Sequence, residues 1–292
     1  MLHRYFNQFL EYFHLADFSH RSIQAMTARV EEFQEFLPLK KIKSIKKVTY
    51  ENLIEFAADF KSPSIHITKS RVWMLRQFYH FLTLHGHVPE NIARGLSYPK
   101  IEKTVPEFLT QIELNRLIRH FCQQPMDVLG MRNLIIILLL GFLGLRTSTL
   151  IAVNIEDIEL TAGLLWVREK GRQVRSMVLP HCACKIIAAY LKLSGHTKGP
   201  LLATKHNRRI SPRTLQDIFR NAVDCVGIEK KLHARLFRHT AATHLNKIAG
   251  IDITQHVLGH ALRKNTVRYA HLNPDQYAVY MRQHPYMRKE AP

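Results

Sequence analysis

Asn133-Leu134-Ile135-Ile136-Ile137-Leu138-Leu139-Leu140-Gly141-Phe142-Leu143-Gly144-Leu145 runs for thirteen residues without a charge, bracketed by Arg132 and Arg146. A helix that crosses a bilayer needs roughly 18–20 apolar residues, so this run reads as a helix buried in a protein core. It is expected over about 128–144, stopping at the Gly141 to Gly144 step. Upstream, Thr110-Gln111-Ile112-Glu113 has the form of a capping box that opens a helix to about Gln123. Downstream the apolar period becomes alternating. Residues 155–160, 164–168 and 174–180, with a turn near Gly171, are expected to form a short three-stranded antiparallel sheet. Helical spacing returns at about 181–194, 211–226, 234–249, 252–258 and 263–270. This half of the chain is therefore mostly helix around a small sheet.

Toward the N-terminus, from Tyr5 to about Tyr98, apolar residues recur every three or four positions, and glycine appears only at Gly86 and Gly95. That pattern predicts a small helical bundle with helices at about 4–14, 19–37, 48–60 and 64–86. Ser19, Thr49 and Ser62-Pro63-Ser64 stand where N-caps belong. Lys40, Lys41, Lys43, Lys46 and Lys47 fall between the second and third helices. They read first as a solvated loop and second as contacts to phosphate. Tyr98 to Pro106 has two prolines, mixed charge and no amphipathic period, and is expected to link two domains, 1–98 and 107–292.

Across 292 residues there are 42 Lys+Arg and 23 Asp+Glu, a net charge of +19. With 46 % hydrophobic residues the chain has the composition of a globular protein. The basic excess therefore calls for a polyanionic partner rather than disorder. Residues 106–292 hold 27 basic and 13 acidic groups, and carry most of that field. Met1 to Gln8 lacks the apolar core of a secretory signal. Cys122, Cys182, Cys184 and Cys225 are too few and too irregular for a disulfide framework, which fits a reducing cytoplasm. His181 with Cys182 and Cys184, or His256 with His260, are the tight groupings of metal-binding types, and no His-Glu-x-x-His pattern accompanies them. No metal is expected.

Four segments carry residues that are odd for a purely structural role. Arg146 closes the apolar helix, where an unpaired guanidinium would cost several kcal/mol. Lys170 lies at the expected hairpin tip in Glu169-Lys170-Gly171-Arg172. Arg235 and Arg238 are three apart on one helix, in Arg235-Leu236-Phe237-Arg238-His239-Thr240-Ala241-Ala242-Thr243-His244. Leu258-Gly259-His260 is followed nine residues later by Tyr269.

In this order the segments resemble the tyrosine recombinase (phage integrase) family, closest to its Xer-like branch. The resemblance spans nearly the whole chain and includes Trp73 to Tyr79 and Pro89 to Ala93 in the N-terminal half. It implies a mainly α protein with a small antiparallel β-sheet: a four-helix SAM-like core-binding domain over 1–98, a linker over 99–106, and an α+β catalytic domain over 107–292 that ends in a tail. By position it makes Arg146 and Arg238 the two arginines that hold the scissile phosphate, Lys170 the acid for the leaving 5′-oxygen, and His260 the supporting histidine. Tyr269 becomes the nucleophile. The chemistry explains these types. Two guanidinium groups can engage both non-bridging oxygens and offset charge in the transition state. A phenol with an ordinary pKa of about 10 needs a cationic setting to attack near neutral pH. The implied enzyme needs neither metal nor ATP and acts on double-stranded DNA, as a homo- or hetero-tetramer on synapsed sites. It is expected in the cytoplasm, on the nucleoid and away from membranes.

Two positions depart from the family. Arg235 stands where a histidine is usual, with His233 two residues back, and Thr149 replaces an acidic residue in Ser148-Thr149-Leu150. Arg235 can hydrogen-bond a phosphate but cannot act as a base. Two rivals follow: a catalytically weakened DNA-binding protein of the same fold, and a type IB topoisomerase. The C-terminal stretch from Asp275 resembles the family's tail, which docks on a neighbouring subunit; packing on its own domain is the alternative.

Overall fold

The computed structural model describes residues 2–15, 18, 20–102, 106–168 and 174–259. The chain divides into two compact units, residues 1–103 and 104–292.

The first unit is helical. Helices α1 (Leu2–Leu15), α2 (His20–Leu39), α3 (Tyr50–Ala58) and α4 (Ile65–Leu84) lie within a few residues of the helices expected from apolar spacing. Short 3-10 turns follow at Ile45–Lys47 and Ile92–Gly95. Thr49 caps α3 reciprocally with Asn52, whose side chain accepts from the Thr49 amide at 3.1 Å. Aromatic rings fill the centre. Phe6, Phe9 and Phe13 of α1 share one face and are fully buried, with Phe6 stacked on Phe78 at 4.9 Å. Burial of each such ring stabilises the bundle by about 1.5–3 kcal/mol.

Arg71 of α4 lies inside this core, 2 % exposed. Its Nε donates to Glu32 of α2 at 2.8 Å, and its Nη1 donates to the carbonyls of Phe56 and Phe60 at 2.9 and 2.7 Å. The guanidinium also lies over the Phe56 ring, 4.9 Å from its centroid. One cation thus ties α4 to α2 and to the C-terminal end of α3, where orphan carbonyls need donors.

In the second unit the apolar run forms α6 (Val128–Leu143), with Ile135 to Leu140 all buried. It packs against α5 (Gln111–Cys122), α8 (His181–Ser194) and α10 (Ala234–Leu258), which explains why no polar face survives. Asp127 caps it by accepting from the Gly130 amide at 2.7 Å. Gly144 ends it in the left-handed region, φ 60°. The capping box at the start of α5 is present, closed by Thr110 and Glu113. Burial raises the Glu113 pKa, but hydrogen bonds from Lys230 and Thr110 outweigh it and hold the carboxyl below its usual range.

The expected sheet is found with order β1-β2-β3 and antiparallel pairing throughout. Its strands are β1 (Ile158–Glu159), β2 (Leu164–Arg168) and β3 (Val174–Val178). The first strand is shorter than its sequence implies, because Ile155–Asp157 closes into a 3-10 turn capped by Asn154. Leu165, Val167 and Met177 face the core. Helix α9 (Pro212–Val226) lies where the spacing places it. Helix α10 is two helical segments joined at Gly250, whose backbone is non-helical, φ 76° and ψ −179°. The break corresponds to the gap between the two helices expected there. The expected helix at 263–270 lies outside the described residues.

A short helix, α7 (Thr147–Ala152), has no counterpart among the elements expected from sequence. Arg146 therefore does not end the apolar helix; it occupies the N-cap position of the next one, after the Gly144-Leu145 turn.

Replacing Arg71 by Ala should lower the stability of the first unit by about 2–4 kcal/mol, because Glu32 and two carbonyls lose their donor inside the bundle. Urea unfolding followed by Trp73 fluorescence in a Trp166→Phe background reports on this unit alone. A loss under about 1 kcal/mol would contradict the role given to the buried cation.

Candidate active site

Three consecutive carbonyls at the C-terminal end of α10 receive three arginines from three different elements. Arg175 of β3 donates from Nη1 to the Val257 carbonyl. Arg238, in the first half of α10, donates from Nη2 to Leu258 at 2.7 Å. Arg146, at the start of α7, donates from Nη2 to Gly259 at 3.2 Å. The last carbonyls of a helix lack intrahelical partners and carry the negative end of its dipole. A helix end is thus the place on a backbone best suited to gather cations.

Arg238 is 8 % exposed and also donates from Nη1 to the Gly144 carbonyl at 2.8 Å. The end of α6, the first half of α10 and the end of its second half are joined through one guanidinium. Gly144 seats this junction. A β-carbon there would lie 2.8 Å from Leu258 Cδ2 and 3.1 Å from Ala241 Cβ. Arg146 is half-buried, and its helix is held from its far end. Arg209 donates to the carbonyls of Ile151 and Val153, and its Nη2 reaches Asn154 Oδ1 at 2.6 Å. Thr240 adds a tie to the chain entering α5, accepting from the Leu109 amide at 2.8 Å and donating to Leu236 at 2.9 Å.

Of the residues singled out by sequence, Arg146 and Arg238 come together, on neighbouring carbonyls. Arg235 is exposed in the first turn of α10 while Arg238 is buried, so the pair at i, i+3 do not share an environment. Thr149 is buried in α7. Lys170, His260 and Tyr269 lie outside the described residues. His233 is the N-cap of α10, its Nδ1 accepting from the Leu236 amide at 2.9 Å. Arg175 is the residue that the sequence motifs do not pick out. A signal for it exists in β3, where alternation puts residue 175 on the same face as Met177; an arginine on the inward face of a strand needs an acceptor.

Residues 107–276 match the model of the phage integrase family. The chain belongs to this family. It is a tyrosine recombinase, a DNA strand transferase, as are its curated relatives. Tyrosine recombinase XerC of Bacillus pumilus (strain SAFR-032) is 30 % identical over 295 residues, covering 95 % of each chain. XerC of Anoxybacillus flavithermus (strain DSM 21510 / WK1) is 28 % identical over 293 residues, covering 96 % of this chain and 97 % of the relative. Among solved structures, the XerH site-specific recombinase bound to its difH substrate is similar in fold, with a TM-score of 0.73 and 19 % identity over 89 % of this chain and 78 % of that one. A lambda integrase tetramer bound to a Holliday junction has a TM-score of 0.73 at 15 % identity, over 92 % of this chain and 76 % of that one. Mostly helical architecture with one small antiparallel sheet is the fold of these recombinases. Among the described residues no helix is long and apolar enough to cross a membrane.

The α10 cap gives a pH signature. Burial, followed by the charges of Arg235 and Lys231, holds the His233 pKa below the ordinary imidazole value. A depressed pKa favours the neutral, capping form in the folded state. Its contribution is full above about 6.5, the unfolded value, and is lost as pH falls through the lower folded value. His244, lowered by burial and then by Lys247, acts in the same direction. Asparagine caps without titrating. His233→Asn should therefore reduce the fall in Tm on acidification below about pH 6.5, and His233→Asn with His244→Gln should reduce it further. An unchanged slope in calorimetry would remove His233 from this role.

Proposed function

We propose that this recombinase cuts and rejoins duplex DNA at specific sites through a 3′-phosphotyrosyl intermediate, with Tyr269 as nucleophile. What supports the reading most is the gathering of Arg146 and Arg238 on adjacent carbonyls, one residue before His260 in sequence. Two guanidiniums so placed present donors to the two non-bridging oxygens of one phosphate and offset the charge that builds up as a fifth oxygen bonds to phosphorus.

In the proposed step the Tyr269 oxygen attacks phosphorus, the bond to the 5′-oxygen breaks, and Lys170 delivers a proton to that leaving oxygen. His260 supports the phosphate or the departing phenol proton. The product is a 3′-phosphotyrosine and a free 5′-hydroxyl. Attack by a partner strand's 5′-hydroxyl reverses the bond onto new DNA and releases the tyrosine. The phosphotyrosyl link conserves the bond energy, so no ATP enters. Sequential exchange by four subunits on two synapsed sites passes through a Holliday junction. We place the core-binding role in residues 1–98, the linker at 99–106 and catalysis in 107–292, with action in the cytoplasm on the nucleoid. Arg235, exposed near the buried arginine, would add a phosphate contact in place of the family's histidine.

A nicked suicide duplex, built on the site returned by selection from a random duplex library, tests the chemistry. The parent protein should become trapped as a covalent adduct, while Tyr269→Phe should bind the same duplex and form none. Adduct in Tyr269→Phe would remove Tyr269 as nucleophile. Binding without adduct in the parent would favour the weakened DNA-binding reading, and relaxation of plasmids lacking the site would favour a topoisomerase.

The lysine cluster offers a second test. Lys40 pairs with Glu55, whereas Lys43, Lys46 and Lys47 are exposed and make no ion pair among the described residues. Removing one cation that neutralises a phosphate should reduce the slope of log affinity against log salt by about 1. Lys46→Gln with Lys47→Gln should thus flatten that slope by about 2 while leaving site preference unchanged. An unaltered slope would make the cluster a solvated loop.

A further inference from the structure

We propose that Arg175 is a positioning residue for strand cleavage, fixing the carbonyl row on which Arg146 and Arg238 rest. The proposal builds on the reading that those two arginines hold the scissile phosphate. Arg175 touches the same short turn in two ways. Its Nη1 donates to the Val257 carbonyl, and its guanidinium lies against the bare face of Gly259. A β-carbon on Gly259 would come 2.8 Å from Arg175 Nε, 3.2 Å from Cζ and 3.3 Å from Nη2. Gly259 also has φ 60°, so the glycine answers two demands at once, a left-handed backbone and room for a guanidinium.

The turn held in this way supplies the Leu258 and Gly259 carbonyls to Arg238 and Arg146. If it shifts, both acceptors shift with it. Arg175 comes from β3, whose strand pairing with β2 runs from Leu164↔Val178 to Arg168↔Val174. It thus references the end of α10 to the sheet, an element to which neither Arg146 nor Arg238 belongs. Half-buried and donating to the Val257 carbonyl, it acts through its two neighbours.

A displacement of about 1 Å in a reacting constellation costs on the order of 10²-fold in rate, which sets the expected scale. On the suicide duplex, Arg175→Ala should cleave about 10- to 100-fold more slowly at saturating DNA, with affinity for the uncleaved site within about threefold of the parent. Arg175→Lys, which retains a donor, should recover part of the rate. Circular dichroism and thermal unfolding of both variants identify any that fail to fold. The distinguishing readout is a duplex whose scissile phosphate is a neutral methylphosphonate. It lowers the charge that Arg146 and Arg238 must offset, so it should narrow the gap between parent and variant for Arg146→Ala, Arg238→Ala and Arg175→Ala alike. A merely structural arginine would show the same deficit on both duplexes. Parent-like cleavage by Arg175→Ala, a loss of affinity matching the loss of rate, or a deficit unmoved by methylphosphonate while that of Arg238→Ala is relieved would overturn the proposal. If methylphosphonate relieves neither Arg146→Ala nor Arg238→Ala, the phosphate-holding role of those two arginines fails, and the proposal falls with it.

Discussion

The second unit depends on a helix end that cannot satisfy itself. The last carbonyls of α10 have no amides ahead of them in the helix, and the fold brings cationic side chains to them instead. Arg175, Arg238 and Arg146 each donate to one, in the order 257, 258, 259. A neutral donor would satisfy a carbonyl equally well; guanidinium groups also concentrate positive charge, at the place where the proposed function holds a phosphodiester. In the proposed reaction, the hydrogen bonds that complete the fold and the charges that would serve the chemistry belong to the same groups. The remaining elements can be read as supports for this arrangement: α6 ends at Gly144 to meet Arg238, α7 is tied down by Arg209, and the sheet supplies Arg175.

A similar solution appears in the first unit for a different end. Arg71 also feeds carbonyls near a helix terminus, those of Phe56 and Phe60, but it is enclosed by aromatic rings and balanced by Glu32. There the cation is neutralised and committed to structure. A buried arginine in this protein is therefore not in itself a mark of function, and the acceptors and their neighbours decide which role it has.

The long helices are legible in the sequence because burial leaves a periodic trace. α6 is apolar on every face since three helices cover it, and the capping box at Thr110 depends on local spacing. α7 is not legible, because six residues make fewer than two turns and Ser and Thr in it have weak helical preference; burial of Leu150 in the core and the tie from Arg209 hold it. Arg146 and Arg238 stand out in sequence through their company, a glycine turn and an Arg-His-Thr run. Arg175 stands in a strand among ordinary residues, and its partner lies 82 positions away. Arg235 shows the opposite limit. Spacing of three places it beside Arg238, yet one is exposed and the other buried, because α10 packs on only part of its circumference.

The bonds that build the arginine cluster are long in sequence. Arg238 reaches Gly144 across 94 residues, and Arg146 reaches Gly259 across 113. During synthesis the earlier halves of these pairs leave the ribosome well before their partners exist. The cluster therefore cannot assemble until Gly259 has emerged, and the proposed nucleophile follows ten residues later. A chain still being translated, or one truncated before that point, lacks the closed arginine cluster and the residue proposed to attack the phosphate. With the last acceptors placed behind the sheet and every helix from α1 to α9, all of those elements are made before the arginine cluster can close.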